Sequence, residues 1–219
     1  MTRHPTLAAV TTAVALALGA VSAGAGALSD FVLAPGVFAG AEPLREPLCY
    51  RHTRAAFGAA PALDETLRLA PAMVDDAARL VLARSREGAA PREITSFGTG
   101  SANPILLYFL ESAARATAEA SGGSPFYIRN RIRDALGAAD LGPAAEVTHA
   151  GAPVAVHRTE LRPFDGDPNR ARLGPFADLV LGVTTTPDLP GRLLELSADT
   201  PGDGPGYHER LTLLPEACS

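Results

Sequence analysis

Hydrophobic and polar positions are mixed in short segments over the first half of the chain. These segments lie near 48–57, 64–70, 77–85 and 92–98, and turn-rich stretches at 58–61 and 87–88 separate them. Short segments of this mixed character, bounded by Gly and Pro, are typical of β-strands. The pattern therefore predicts four strands ahead of the middle of the chain, and the composition of Ala77–Leu82 is also compatible with a helix.

The middle of the chain changes to helical signals. Asn103 offers an oxygen-bearing N-cap, Pro104 follows at the first helical position, and Gly122-Gly123 ends the segment. The run Ile105–Leu110 is entirely apolar or aromatic. Because such a run covers every side of a helix, we expect this turn and a half to be buried all round.

A second helix follows directly. Ser124-Pro125 repeats the cap-and-proline start, and Gly137 marks the end. Its apolar positions are four residues apart and share one face: Ile128, Ile132 and Leu136. The two helices are expected to form a hairpin in the middle of the chain.

Strand signals return after the hairpin, at 146–150, 154–163, 176–186, 192–198 and 207–214. Strands, two helices and then strands again predict an α+β fold with an antiparallel sheet. We expect a curved, half-barrel-like sheet packed on the central helical hairpin. The predicted single domain spans 47–219, and residues 28–46, which lack a clear period, are expected to be a lead-in of low order.

The first 27 residues have the pattern of an export signal. Arg3 gives a positive start, Leu7–Val21 is apolar without a charge, and Ala23–Ala27 is a run of small residues. Cleavage is predicted after Ala27. The mature protein is then expected to be periplasmic or secreted and to carry no transmembrane anchor, because glycines and small residues break the apolar segment too early for a span.

Composition removes several function classes. Without Arg3, the mature chain has 18 basic and 24 acidic residues, a net charge of −6, which argues against a nucleic-acid partner. All basic residues are arginine, so the chain has no lysine for Schiff-base chemistry or for a phosphate-binding loop. We expect no cofactor.

The two cysteines, Cys49 and Cys218, lie near the two ends of the mature chain and lack the spacing of a metal site. In an oxidising compartment an even pair of this kind predicts a disulfide. A reactive thiol is the alternative.

Two arginines on the second helix are the candidate anion-binding site. Arg129 and Arg133 are four residues apart and share a helix face, so their guanidinium groups could hold a carboxylate or phosphate together. The alternative is a structural role, in which they pair with Asp134, with an acid of the first helix, or with the sheet.

No catalytic or metal motif stands out. The four mature histidines have no metal-ligand spacing, and the turn Asp165–Asn169 departs from a calcium loop where Arg170 and Phe176 replace the expected glycine and glutamate. A triad assembled from distant residues stays open, with His157 or His208 as base and an acid from the 165–167 turn. We expect no metal ion and assign no catalytic residue.

Roughly the last 120 residues resemble a family of exported bacterial proteins that has no assigned activity. The resemblance rests on these stretches: 103–104, 108–111, 122–123, 126–136, 164–172 and 207–211. It implies export and brings no catalytic residue or cofactor with it.

The sequence therefore favours a non-catalytic periplasmic protein, a binding or envelope-interaction module. Its expected partner is an envelope protein or an apolar or anionic ligand. The alternative from a different class is a small periplasmic hydrolase with a histidine-based site.

Overall fold

The computed structural model describes residues 27–35, 37–38, 44, 46–202, 205–215 and 218. The predicted export signal lies outside the described residues except for Ala27, which begins the first helix. In this part of the chain no helix is long and apolar enough to cross a membrane.

The described chain forms nine strands and three α-helices. The helices are α1 (Ala27–Val32), α2 (Pro104–Ser121) and α3 (Pro125–Ala138). The strands are β1 (Leu48–Arg54), β2 (Leu63–Val74), β3 (Ala77–Ser85), β4 (Arg92–Gly98), β5 (Ala144–His149), β6 (Ala152–Leu161), β7 (Val180–Thr185), β8 (Leu193–Asp199) and β9 (His208–Leu213). Three short 3-10 helices lie at Arg170–Arg172, Gly174–Asp178 and Pro190–Arg192.

All nine strands form one antiparallel sheet in the order β4-β3-β2-β1-β9-β8-β7-β6-β5. The sheet is open, with β4 and β5 at its two edges. The predicted α+β class with an antiparallel sheet is confirmed. Strands β1–β4 pair in sequence order, as do strands β5–β9, and β1 pairs with β9 between the two groups.

Two consecutive helices, α2 and α3, contact each other, and both contact the sheet, α2 at β8 and α3 at β6. The first half of α2 has a buried apolar side: Leu106 is fully buried and Phe109 is 1% exposed. The expectation of burial on all sides is wrong at Leu107, which is 43% exposed. One face of α2 packs toward the sheet and the other faces solvent. Because six consecutive residues cover all sides of a helix, one of them, Leu107, faces solvent.

The region expected to be a lead-in of low order begins with the helix α1. Leu28 and Val32 are fully buried in the core. The main-chain nitrogen of Leu28 donates to the Ala139 carbonyl at 3.1 Å, and the Arg192 guanidinium lies 4.7 Å from the Phe31 ring centroid. These contacts tie α1 to the end of α3 and to the loop before β8.

Asn103 fixes the start of α2 and ties it to the sheet. Its side-chain oxygen accepts from the main-chain nitrogens of Ile105 and Leu106 at 3.0 and 3.4 Å. Its amide donates to the Gly191 carbonyl at 2.7 Å, and the side chain is fully buried. The predicted N-cap therefore also anchors the loop that leads into β8.

We expect Asn103→Ala to lower the free energy of unfolding by about 2–3 kcal/mol, because it removes the cap and leaves the buried Gly191 carbonyl without a donor. Ser124→Ala is the matched control, since Ser124 stands at the N-cap of α3 but its side chain makes no capping bond. Urea unfolding measures both. Equal effects in the two variants would contradict the anchoring role of Asn103.

Candidate functional site

A histidine and two glutamates lie buried on one face of the sheet. His52 is fully buried, Glu65 is 3% exposed and Glu209 is 1% exposed. Side chains alternate along a strand, and these three stand in the same phase as the buried Leu67 and Leu211. The pairing of β1 with β2 and with β9 then brings the three side chains together.

His52 bridges the two carboxylates. Its Nδ1 lies 3.2 Å from Glu65 Oε1, and its Nε2 lies 2.6 Å from Glu209 Oε1. Two tyrosines complete the contacts: the Tyr108 hydroxyl donates to Glu65 Oε1 at 2.8 Å, and the Tyr207 hydroxyl donates to Glu209 Oε2. We call these five residues the His52 cluster.

Arginines approach the outer oxygens of both carboxylates. Arg86 Nε lies 3.3 Å and Arg84 Nη1 3.9 Å from Glu65 Oε2. Arg54 Nη1 lies 3.8 Å from Glu209 Oε2. Each glutamate therefore has positive charge on two sides, which is what a buried carboxylate needs to stay ionised.

The contacts shift the pKa values of the cluster in opposite directions. Burial opposes a charge on His52, but hydrogen bonds and charges from Glu209 and Glu65 outweigh it and raise the pKa of His52. Burial likewise opposes ionisation of Glu65, yet the hydrogen bonds from His52 and Tyr108 lower its pKa to about 2. The same balance lowers the pKa of Glu209. Burial and Glu65 raise the pKa of Tyr108 to about 12.

The raised pKa of His52 and its two carboxylate partners favour an imidazolium between Glu65 and Glu209. A general base needs a free lone pair within reach of a proton on the substrate. Both ring nitrogens of His52 are engaged, and the ring has no exposed surface. This geometry joins β1, β2 and β9 to α2 through the hydrogen bond from Tyr108 to Glu65.

The candidate anion-binding arginines pair with different carboxylates of the protein. Arg129 makes a two-bond pair with Glu111 of α2, at 2.5 Å from Nε and 2.7 Å from Nη2. Arg129 thereby holds the pKa of Glu111 below its ordinary value. Arg133 is 73% exposed and lies 3.5 Å from Asp134. The pairing of Arg129 follows the structural alternative weighed from the sequence.

We expect Arg129→Gln to lower the melting temperature slightly and Arg133→Gln to leave it unchanged, because only Arg129 links the two helices. Exposed ion pairs are weak and screened by salt, so the difference is expected to shrink in high salt. Thermal unfolding at low and high salt measures it. Loss of phosphate binding in both variants, with no change in stability, would instead identify an anion site.

The remaining histidines and the 165–167 turn make separate contacts. His208 Nδ1 lies 2.8 Å from Asp199 Oδ1, and His157 Nδ1 lies 2.9 Å from the Gly142 carbonyl. Asp167 accepts from the Tyr127 hydroxyl at 2.6 Å. No hydrogen bond of the described residues joins either histidine to this turn. Among those residues no three His, Cys, Asp or Glu side chains are placed to hold a metal ion.

The predicted disulfide is present. Cys49 of β1 is bonded to Cys218, and their Cα atoms lie 5.6 Å apart. The bond therefore links β1 to the segment that follows its neighbour β9.

An apolar groove of about 340 Å³ lies at the turn between β2 and β3. Its lining comes from the end of β2, the start of β3, the segment before β1 and the residue after β4: Phe38, Leu44, Pro71, Ala72, Met73, Ala78, Arg79, Leu80 and Thr99. Phe38 and Leu44 are buried, whereas Met73 is 69% exposed. Arg79 is the one cation among these residues.

A larger and more polar pocket of about 670 Å³ lies beside the other end of β2. Its lining includes Arg51 and Asp64, which form an ion pair of 2.8 Å with each other. A second arginine of the lining, Arg86, lies 3.3 Å from Glu65, so each cation of this pocket has a carboxylate of the protein beside it.

The chain matches no protein-family model and no curated protein.

Proposed function

We propose that this chain is an exported, non-catalytic binding protein of the cell envelope. In this proposal a curved, half-open sheet folds over the hairpin of α2 and α3 and acts as a scaffold for a ligand or a partner. The closed geometry of the His52 cluster carries the proposal, because it places the most elaborate acid–base group of the described residues out of reach of any substrate.

Export is supported by the two ends of the chain. Residues 1–27 have the pattern of a signal, and the Cys49–Cys218 disulfide suits a chain that matures in an oxidising compartment. Cleavage after Ala27 would leave Leu28 as the first residue, with its nitrogen already placed against the Ala139 carbonyl. The mature N-terminus would then be docked in the fold.

The full chain with a C-terminal tag, produced in a Gram-negative host, tests export. We expect the tagged product in the periplasmic fraction, with an N-terminal sequence that starts at Leu28 and no free thiol. Recovery of the uncleaved chain from the cytoplasm would contradict the export part of the proposal.

The hydrolase alternative is favoured by one observation, the exposed pair of His208 and Asp199. A fluorophosphonate probe, which labels activated serines, separates the two functions. We expect no labelling of the mature protein. Labelling at one serine that disappears in His208→Ala, but persists in His149→Ala, would establish the hydrolase and overturn the binding function.

A further inference from the structure

The two edge strands of the sheet differ in how well they are protected against pairing with a further strand. The register of β3 and β4 shifts after Leu82, so Ile94 of β4 has no opposite residue. Arg92 and Glu93 add exposed charges to the same strand. Irregular pairing and charged side chains are features by which natural sheets prevent another strand from adding to an edge. The edge at β4 is therefore protected.

The edge at β5 has neither feature. All of β5 pairs with β6 in one unbroken register, and the tight turn at Ala150 and Gly151, both with positive φ, fixes that register. The strand contains no proline or arginine and a single acidic residue, Glu146. Its side chains are exposed on both faces of the sheet, Ala145 on one face and Glu146 on the other.

The main chain of β5 presents donors and acceptors to the side away from β6. Successive residues of a strand point their N–H and C=O groups alternately toward one neighbour and toward the other. In the described part of the chain β6 is the one strand that pairs with β5, which ends the sheet. The small side chains of Ala144 and Ala145 leave room for another strand to approach this edge.

A second copy of this chain fits the edge in one register. A two-fold axis perpendicular to the sheet keeps equivalent side chains on the same face and makes two copies of β5 antiparallel. Centred on Val147, the pairing sets Val147 against Val147 of the second copy and Glu146 against Thr148 of the second copy. Centring it on Glu146 would instead oppose two carboxylates, which is destabilising. Centring it on Ala145 or Thr148 would pair fewer residues.

Val147 adds an apolar contact at the axis of this pairing. Its side chain is half-buried and packs against the hydrophobic core. Two copies of Val147 that meet at the axis join the cores of the two molecules and remove apolar surface from water. Assembly ends at two copies, because each copy uses its β5 once and the edges that remain are the protected β4 strands.

We propose that the mature protein forms a two-fold dimer in which the β5 strands of two copies pair antiparallel, with Val147 on the axis. The two nine-stranded sheets then form one continuous sheet. Because the contact is one strand pair, it belongs with small interfaces that bury less than about 1,200 Å², and the dimer is weak and concentration-dependent. This self-association is separate from the ligand or partner of the binding function.

The association is measured by sedimentation velocity of the mature, oxidised protein over roughly 1 µM to 1 mM, the range that a weak interface requires. We expect a monomer at the lowest concentration and a dimer at the highest. A monomer throughout, or growth beyond the dimer, would overturn the proposal.

Hydrogen exchange of the unmodified protein locates the contact. We expect main-chain amides of β5 to exchange more slowly at high concentration than at low concentration, and those of β4 to exchange alike at both. Protection that excludes β5 would overturn the pairing even if a dimer forms. This measurement needs no variant, so it holds whether or not a substitution is tolerated.

Charge variants test the register. Thr148→Lys places an ammonium opposite Glu146 of the second copy, and Thr148→Glu places a carboxylate there. Each dimer has two such pairs, so we expect the dissociation constant to fall about 2- to 30-fold in Thr148→Lys and to rise by a similar factor in Thr148→Glu. The same substitutions at Thr95, an exposed threonine of β4, are the matched controls and are expected to change nothing.

Thr148 is exposed, so both variants are expected to keep the melting curve of the natural chain at low concentration. A change of the same sign in Thr148→Lys and Thr148→Glu would overturn the Val147 register. Equal effects at Thr95 and Thr148 would show a general influence of net charge and would overturn the assignment of the contact to β5.

Discussion

Replacing His52 by leucine is expected to lower the free energy of unfolding by about 3–5 kcal/mol, because Glu65 and Glu209 stay buried after their shared counter-charge is lost. Urea unfolding near pH 6 measures the loss. His208→Leu is the control, since it removes a histidine from an exposed pair with Asp199, and such pairs contribute about 0–1 kcal/mol.

A triple variant shows where the cost comes from. Replacing His52, Glu65 and Glu209 together by leucine removes the buried charges as a set, and we expect it to recover much of the stability that His52→Leu loses. A triple variant as unstable as the single one would show that the packing of the ring, rather than the charges left behind, accounts for the loss.

The His52 cluster also sets a pH dependence. The pKa of His52 is raised from 6.5 on folding, so its contribution is fully present below pH 6.5 and is lost as the pH rises through the folded-state pKa. The pKa of Glu65 falls from 4.5 to about 2, so its contribution is fully present above pH 4.5 and is lost as the pH falls toward 2. The free energy of unfolding is therefore expected to be highest between pH 4.5 and 6.5. We expect His52→Leu to reduce its decrease above pH 6.5.

Removing the disulfide is the second change with a large expected effect. The bond joins residues 169 apart in sequence, and the chain-entropy account gives about 5 kcal/mol for a loop of that length. At roughly 2–4 °C per kcal/mol for a domain of this size, the melting temperature of Cys49→Ser/Cys218→Ser is expected to fall by about 10–20 °C. Thermal unfolding beside the oxidised protein measures the difference.

Reductant provides the control for that prediction. It is expected to lower the stability of the natural chain to that of the double variant and to leave the double variant itself unchanged. Equal melting temperatures with and without reductant, or two free thiols in the unfolded, unreduced protein, would contradict a stabilising disulfide.

Local signals in the sequence predict most of the elements. The strand segments at 77–85 and 92–98 coincide with β3 and β4, and Asn103-Pro104 marks the start of α2. These features depend on residues that are near one another along the chain, namely turn residues, helix caps and regularly spaced apolar residues. Leu107 departs from expectation because an unbroken apolar run carries no information about which face of a helix meets the sheet.

The His52 cluster could not be assembled from local signals. Glu65 and Glu209 are 13 and 157 residues away from His52, and only the strand order brings them together. One signal was available: both glutamates stand in the same alternating phase as apolar neighbours, Leu67 and Leu211, where a charge is unexpected.

The strand order has a consequence for how the chain reaches its final form. Strands β1–β4 and β5–β9 are two meanders whose pairings are all between neighbours in sequence, and the pairing of β1 with β9 is the seam between them. Contacts between distant residues form slowly, because a long loop must close first. If the chain crosses a membrane from its N-terminus, one edge of β1 stays unpaired until β9 has been translocated. The disulfide between Cys49 and Cys218 can form only after that and then links the two ends of the chain across the β1–β9 pair.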